Sequence, residues 1–246
     1  MRIKLIIEYD GTNYVGWQKQ KNGRSVQEEI ESSIRQILKQ KVDIFVAGRT
    51  DSGVHALNQV AHFDIDRRLE LKKFTSSLNF FLHKSENTIS IISSSKVNSD
   101  FHSRFSAKSR TYLYKILNRK SPSPILNKRS WLIPYSLNIE SLRTAKAFLE
   151  GQHDFNSFRS SQCQAKNSIR KIDKIKIIKK KHEIHFSFTA KSFLHNQVRI
   201  IVGSLVNVGR GYWRERKILE ILEKKSRACA GPTAPAEGLY LEKVRY

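Results

Sequence analysis

The run Gly48-Arg49-Thr50-Asp51-Ser52-Gly53-Val54-His55-Ala56 sets one carboxylate between two glycines, with an arginine two residues before it. Glycines on either side let the backbone turn sharply and let another molecule come close. A neighbouring cation favours the charged form of a carboxylate, so Arg49 is suited to keep Asp51 ionised. An ionised, oriented aspartate at a strand end is a candidate nucleophile. The same residues also describe a structural turn, because an Asp side chain bonds backbone amides two residues on. Residue types alone leave both readings open.

Three further segments could act on a nucleic acid. Tyr9-Asp10-Gly11-Thr12-Asn13-Tyr14-Val15-Gly16-Trp17-Gln18 reads as a strand running into a glycine-containing loop that displays aromatic and amide groups. Aromatic rings can stack on unpaired bases and glycines admit a phosphate backbone, although Tyr14 and Trp17 could equally be core. In Arg110-Thr111-Tyr112-Leu113-Tyr114 the strand alternation puts Tyr112 and Tyr114 on one face. In the stretch from Phe193 to Gly203, Arg199 interrupts an otherwise apolar helical pattern, where a charge is costly without a partner.

Metal chemistry finds less support. Asp64 and Asp66 come nearest to a metal-binding carboxylate pair, but Arg67 and Arg68 follow them directly, which argues against a metal-dependent nuclease. Cys163 and Cys229 are the only cysteines and form no CxxC pair. A disulfide framework and structural zinc are therefore not expected, and a reduced, cytoplasmic setting is.

Composition narrows the partner. With 45 Lys+Arg against 22 Asp+Glu the net charge is +23, which calls for a polyanion, nucleic acid before membrane. No apolar run approaches the ~20 residues that span a bilayer. The opening residues Met1–Tyr9 carry charges at Arg2, Lys4 and Glu8, with no more than three apolar residues in a row, too interrupted for a signal-peptide core.

The elements that must hold these residues follow from periodicity. Residues 2–9 read as a strand. Ser25 and Glu28 form a capping box ahead of a helical stripe of Val26, Ile30, Ile34, Ile37 and Leu38. Strands are predicted over 42–47 and 58–65, then a helix through Leu71, Phe74, Leu78, Phe81 and Leu82, then a strand at 89–92. The order is β-α-β-β-α-β. A similar order recurs: a strand at 110–117, a helix capped by Asn138 and stopping at Gly151, and a hairpin of 172–178 and 183–189 with Lys179-Lys180-Lys181 at its tip. A long helix from Leu194 to Val208, a shorter one over 216–225 and a closing strand at 239–245 complete it. This predicts an α+β fold of two ferredoxin-like (split βαβ) halves, with antiparallel sheets meeting around a central basic cleft. The join falls near residues 96–108, giving halves of 1–104, with the Asp51 loop, and 105–246.

Across these blocks the chain resembles the bacterial tRNA pseudouridine synthase A family. The likeness is carried by Gly48–Ala56, Tyr9–Gln18, Ser25–Glu28, Arg110–Tyr114, Gly151–Arg159, Phe193–Gly203 and Ala236–Leu241, in that family's order over nearly the whole length. Ser52 departs from the family's usual Ala, and Thr111 from the doubly basic pair some members carry before the tyrosine. The resemblance implies an isomerase that turns uridine into pseudouridine in the anticodon arm of tRNA (positions 38–40), with no metal and no cofactor. It implies Asp51 as nucleophile, Tyr112 against the target uracil, and Arg199 as the partner of Asp51 beside Arg49. It also implies a homodimer with tRNA as its partner. A non-catalytic, basic RNA-binding protein associated with ribosome or tRNA is the competing reading. Attack at C6 of uracil and attack at C1′ of ribose both remain open, as do the roles of His195 and Tyr114.

Overall fold

The computed structural model describes all residues, Met1–Tyr246. They form two compact units, Met1–Lys108 with Tyr240–Tyr246, and Ser109–Leu239.

In the first unit β1 (Arg2–Tyr9) buries every second residue, Ile3, Leu5, Ile7 and Tyr9. Ser25 caps α1 (Val26–Leu38) by accepting from Glu28 N–H, and the buried stripe of Val26, Ile30, Ile34 and Leu38 follows as the spacing requires. Next come β2 (Phe45–Val46), β3 (His55–Asp64), α2 (Leu71–Lys84) and β4 (Ile89–Val97). The strand order is β4-β1-β3 with β2 on β3, all antiparallel. Phe63 of β3 meets Phe74 of α2 with ring centroids 6.0 Å apart, which ties helix to sheet.

The strand expected over 42–47 shrinks to two residues. Ile44 N–H bonds the Glu31 carboxylate on α1 at 3.3 Å instead of joining the ladder. The first unit runs on to Lys108, within the 96–108 stretch where the join is expected. Ser99 and Phe101 carbonyls accept from the Arg2 guanidinium, and Ser103 N–H donates to His62, so the segment after β4 belongs to the first unit.

In the second unit β5 (Ser109–Asn118) leads to β6 (Trp131–Ile133), α3 (Ile139–Ala147), β7 (Gly151–Asp154), β8 (Ile169–Lys180), β9 (Glu183–Ala190), α4 (Gln197–Gly209) and α5 (Lys217–Lys224). The antiparallel order is β5-β9-β8-β7, with β6 parallel to β5. Asn138 caps α3 through its side chain, as its position before an apolar stripe requires. The lysine run is not all tip: Lys179 and Lys180 stay in the ladder, and Lys181 turns with a φ of 49°. The long helix begins at Gln197 rather than Leu194, because Asn196 takes a left-handed φ of 61°.

The closing strand β10 (Leu239–Arg245) returns to the first unit, where Tyr240 and Leu241 pair in parallel with His55 and Ala56. Periodicity located this strand and counted it in the second half, whereas it pairs with β3 of the first unit. No helix is long and apolar enough to cross a membrane.

Candidate active site

Two loops of the first unit lace together around Asp51. The loop after β1 brings Gly16 into an isolated antiparallel bridge with Asp51. Trp17 N–H donates to Thr50 O at 3.0 Å, while Ser52 Oγ and Gly53 N–H both reach Tyr14 O. On the other side of the turn Val54 N–H donates to Asp51 O at 3.2 Å. Below it the Tyr9 hydroxyl lies 2.8 Å from Thr50 Oγ1, and Gln59 Nε2 donates to Gly48 O at 2.8 Å. Asp51, on this fixed backbone, is half-buried.

The glycines of Tyr9–Gln18 do something other than admit a phosphate. A Cβ on Gly11 would stand 2.0 Å from Val54 O, and one on Gly16 2.6 Å from Thr50 O. Gly16 also has a φ of +116°, which side-chain-bearing residues rarely adopt. These glycines let the first loop press against the backbone of the second. Tyr14 and Trp17 are buried, at 4% and 1% exposure, so they are core and offer no ring to a base. Arg49 is exposed.

His55, at the end of the same loop, is buried and accepts Gly11 N–H at Nδ1. Its ring stacks on Tyr240 of β10, with centroids 4.6 Å apart. Asp10 Oδ1 also lies 3.1 Å from the same Nδ1. Residue types gave no hint of this support, because these partners lie far off in sequence.

The second unit holds the other expected residues. Tyr112 on β5 is half-buried and meets Phe193 edge-on at 5.2 Å. Tyr114 on the same strand is fully buried and donates its hydroxyl to Pro235 O at 2.8 Å. Burial raises its pKa well above the usual tyrosine value, as fits a phenol that stays a neutral donor. Tyr114 is therefore a core residue with a polar tip.

Arg199, in the first turn of α4, is half-buried and anchored twice. Its Nε donates to Ala234 O at 2.7 Å and its Nη1 to Asn196 Oδ1 at 2.9 Å. Ala234 N–H in turn donates to Arg199 O at 3.2 Å. The segment carrying Ala234 can lie this close because α4 has a glycine there: a Cβ on Gly203 would stand 1.9 Å from Pro232 O. Gly231 N–H meets Ser204 Oγ at 2.9 Å one residue along the helix. Sequence reasoning found Arg199 but missed Asn196 and Ala234 as its holders. The HNQVR pattern and the conspicuous Gly203 were the available signals.

Asp64, one of the two carboxylates weighed for a metal, is engaged by an arginine. Both Asp64 carboxylate oxygens accept from the Arg2 guanidinium, at 2.9 and 2.7 Å, and these hydrogen bonds hold Asp64 below the usual carboxylate range. No group of three or more His, Cys, Asp or Glu side chains could hold a metal ion.

Comparison with known proteins gives this arrangement a class. A family model described as tRNA pseudouridine synthase matches residues 5–106 and 145–246, which takes in Asp51 on one unit and Arg199 on the other. The chain belongs to the tRNA pseudouridine synthase family. Within it, the "tRNA pseudouridine synthase A" of Anaplasma phagocytophilum (strain HZ) is 48% identical over 248 residues, covering 100% of both chains. The proteins of the same name from Ehrlichia chaffeensis (strain ATCC CRL-10679 / Arkansas) and Neorickettsia sennetsu (strain ATCC VR-367 / Miyayama) are 49% and 48% identical over 247 residues, again at 100% of both chains.

Proposed function

We propose that this isomerase converts uridine to pseudouridine in the anticodon arm of tRNA, with Asp51 as its nucleophile. The reaction class rests on family membership. The role of Asp51 is supported by one observation: its backbone is held by a neighbouring loop whose glycines fit nothing bulkier, and the residue is only half-buried. A carboxylate held in this way loses little freedom on reaching its transition state.

The target uridine leaves its stack, since a base inside a helix is out of reach of a side chain. Asp51 attacks either C6 of the uracil or C1′ of the ribose. The N1–C1′ bond breaks, the uracil turns, C5 joins C1′, and the bond from Asp51 to C1′ or C6 breaks to free the carboxylate. The C5 proton is lost, N1 gains a proton, and atoms and electrons balance with no redox partner. Tyr112 stacks on the base and assists removal of the C5 proton. Arg199 serves as the cation that answers the Asp51 carboxylate, and exposed Arg49 helps hold the extruded nucleotide.

The strand order β4-β1-β3-β2 of the first unit supports a split βαβ half, and β5, α3, β8, β9 and α4 support a second one. The proposal further takes the enzyme as a cytoplasmic homodimer, which light scattering on the purified protein tests directly.

The decisive experiment measures pseudouridine in unmodified tRNA transcripts, with wild-type protein and Asp51→Asn and without added metal or nucleotide. Wild-type product confined to the anticodon arm, and none from the variant, is the expected result. Tight tRNA binding without product from either protein would return the chain to the RNA-binding reading.

A further inference from the structure

The C-terminal end of α4 carries a cluster that the isomerisation does not use. The guanidinium carbon of exposed Arg210 lies 4.7 Å from the ring centroid of Tyr135 and 5.4 Å from that of Tyr212. Both rings also face solvent, Tyr135 at 38% exposure and Tyr212 at 72%. Their backbones are fixed. Arg210 N–H donates to Val206 O and Tyr212 N–H to Asn207 O, each at 3.0 Å, around Gly211 with a φ of +76°. The Tyr135 carbonyl accepts from Asn118 Nδ2 at 2.7 Å, and Asn138 N–H ties the same loop to Gly209 O at 2.7 Å.

A guanidinium at a helix C-terminus often serves only to bond the last carbonyls and answer the dipole. Here the side chain bonds no carbonyl and no carboxylate, and two ring faces hold it instead. Arg214 and Arg216, a few residues on, are also exposed. The one acid between them, Glu215, is engaged by a hydrogen bond from Ser141. The cluster is therefore cationic, aromatic and oriented before any ligand arrives.

We propose that Arg210, held between Tyr135 and Tyr212, is an auxiliary RNA contact that binds a backbone phosphate of the tRNA while Tyr212 stacks on an adjacent unpaired base. A planar fork of N–H donors matches a phosphate, and a ring face accepts any base. The +23 charge of the chain favours a polyanion over a protein surface. The inference rests on tRNA being the substrate, and on no residue assigned to the chemistry.

The test measures tRNA affinity over a series of salt concentrations, together with steady-state kinetics, for Arg210→Ala, Arg210→Lys and Tyr212→Leu. Arg35→Ala, which removes an exposed arginine on α1, is the control for bulk charge. Arg210→Ala should weaken binding about tenfold, lower the salt slope by about 1, and raise KM with kcat unchanged. Arg210→Lys should keep most of the slope and lose part of the affinity, because it keeps charge without the fork. Tyr212→Leu should lose affinity and leave the slope alone. An Arg210→Ala effect no larger than that of Arg35→Ala would overturn the proposal. So would a change of oligomeric state in place of tRNA affinity, which would give the patch to a second copy of the chain. A wild-type protein that binds tRNA without isomerising it would count against the catalytic reading alone, since affinity is read separately.

Discussion

Asp51 and Arg199 are held by opposite means. Around Asp51 the grip is on the backbone, through Gly16, Trp17, Tyr14 and Val54, and it depends on glycines that let main chain approach main chain. Around Arg199 the grip is on the side chain, through the Asn196 amide and the Ala234 carbonyl, and only the course of the Ala234 segment depends on a glycine. A nucleophile must present one short side chain at a defined point, so fixing its main chain suffices. A long, flexible arginine needs its head held directly, because fixing its backbone leaves four torsions loose. The two regions should therefore fail differently when altered.

The largest effect should come from the carboxylate itself. Asp51→Asn keeps size and backbone contacts and removes the carboxylate proposed as nucleophile. Turnover should fall by about a thousandfold or more while tRNA affinity is retained. Equal loss of affinity and turnover would make Asp51 a binding residue and dissolve the contrast.

Gly16→Ala attacks the backbone grip without touching the carboxylate. The added methyl meets Thr50 O at 2.6 Å in a left-handed conformation, so stability should drop by about 1–3 kcal/mol, read as a lower denaturant midpoint. Activity should fall with it, because the turn that carries Asp51 has to move.

Acid should separate the units next. His62 on β3 is fully buried, its Nδ1 accepts Ser103 N–H, and its Nε2 has no partner. Burial, reinforced by His102 and Arg2, lowers its pKa to about 4. The folded protein keeps the ring neutral where the unfolded chain, with an ordinary value near 6.5, binds a proton. The stabilisation is thus complete above about pH 6.5 and is lost as pH falls toward 4, by roughly 3 kcal/mol. Denaturation at stepped pH should show this slope in wild type and a flatter one in His62→Asn.

The smallest effect probes the side-chain grip. Asn196→Ala removes one Arg199 anchor, and kcat should fall about tenfold, with about 1 kcal/mol of stability lost because Ala takes the left-handed backbone less readily than Asn. Asn196→Asp keeps the accepting oxygen and should recover most of that rate. If both variants behave alike, the amide oxygen is not what positions Arg199.

Much of this was legible in the residues. Helical stripes, the Ser25 and Asn138 caps and the alternation of β1 are local patterns, and they appear where periodicity puts them. Family motifs also named Asp51, Tyr112 and Arg199 as candidates for the site. Neighbours distant in sequence were not legible. Ile44 turning to Glu31, Tyr240 stacking on His55 and Ala234 holding Arg199 are each fixed by packing between separate segments, to which local pattern is blind. Glycines near a motif were visible too. That Gly11 and Gly16 make room for the chain's own backbone, and not for RNA, needed coordinates.

The return of β10 to the first unit bears on how the molecule is made. Residues 240–246 are translated after all of the second unit, yet Tyr240 stacks on His55 and Lys108 N–H bonds Arg245 O. On the ribosome the second unit can close as a continuous stretch, while the Asp51 turn waits for a strand not yet synthesised. A nascent chain therefore holds the Asp51 turn without its His55–Tyr240 support until the ribosome has added that strand, and a chain stopped before β10 should lack that support for good.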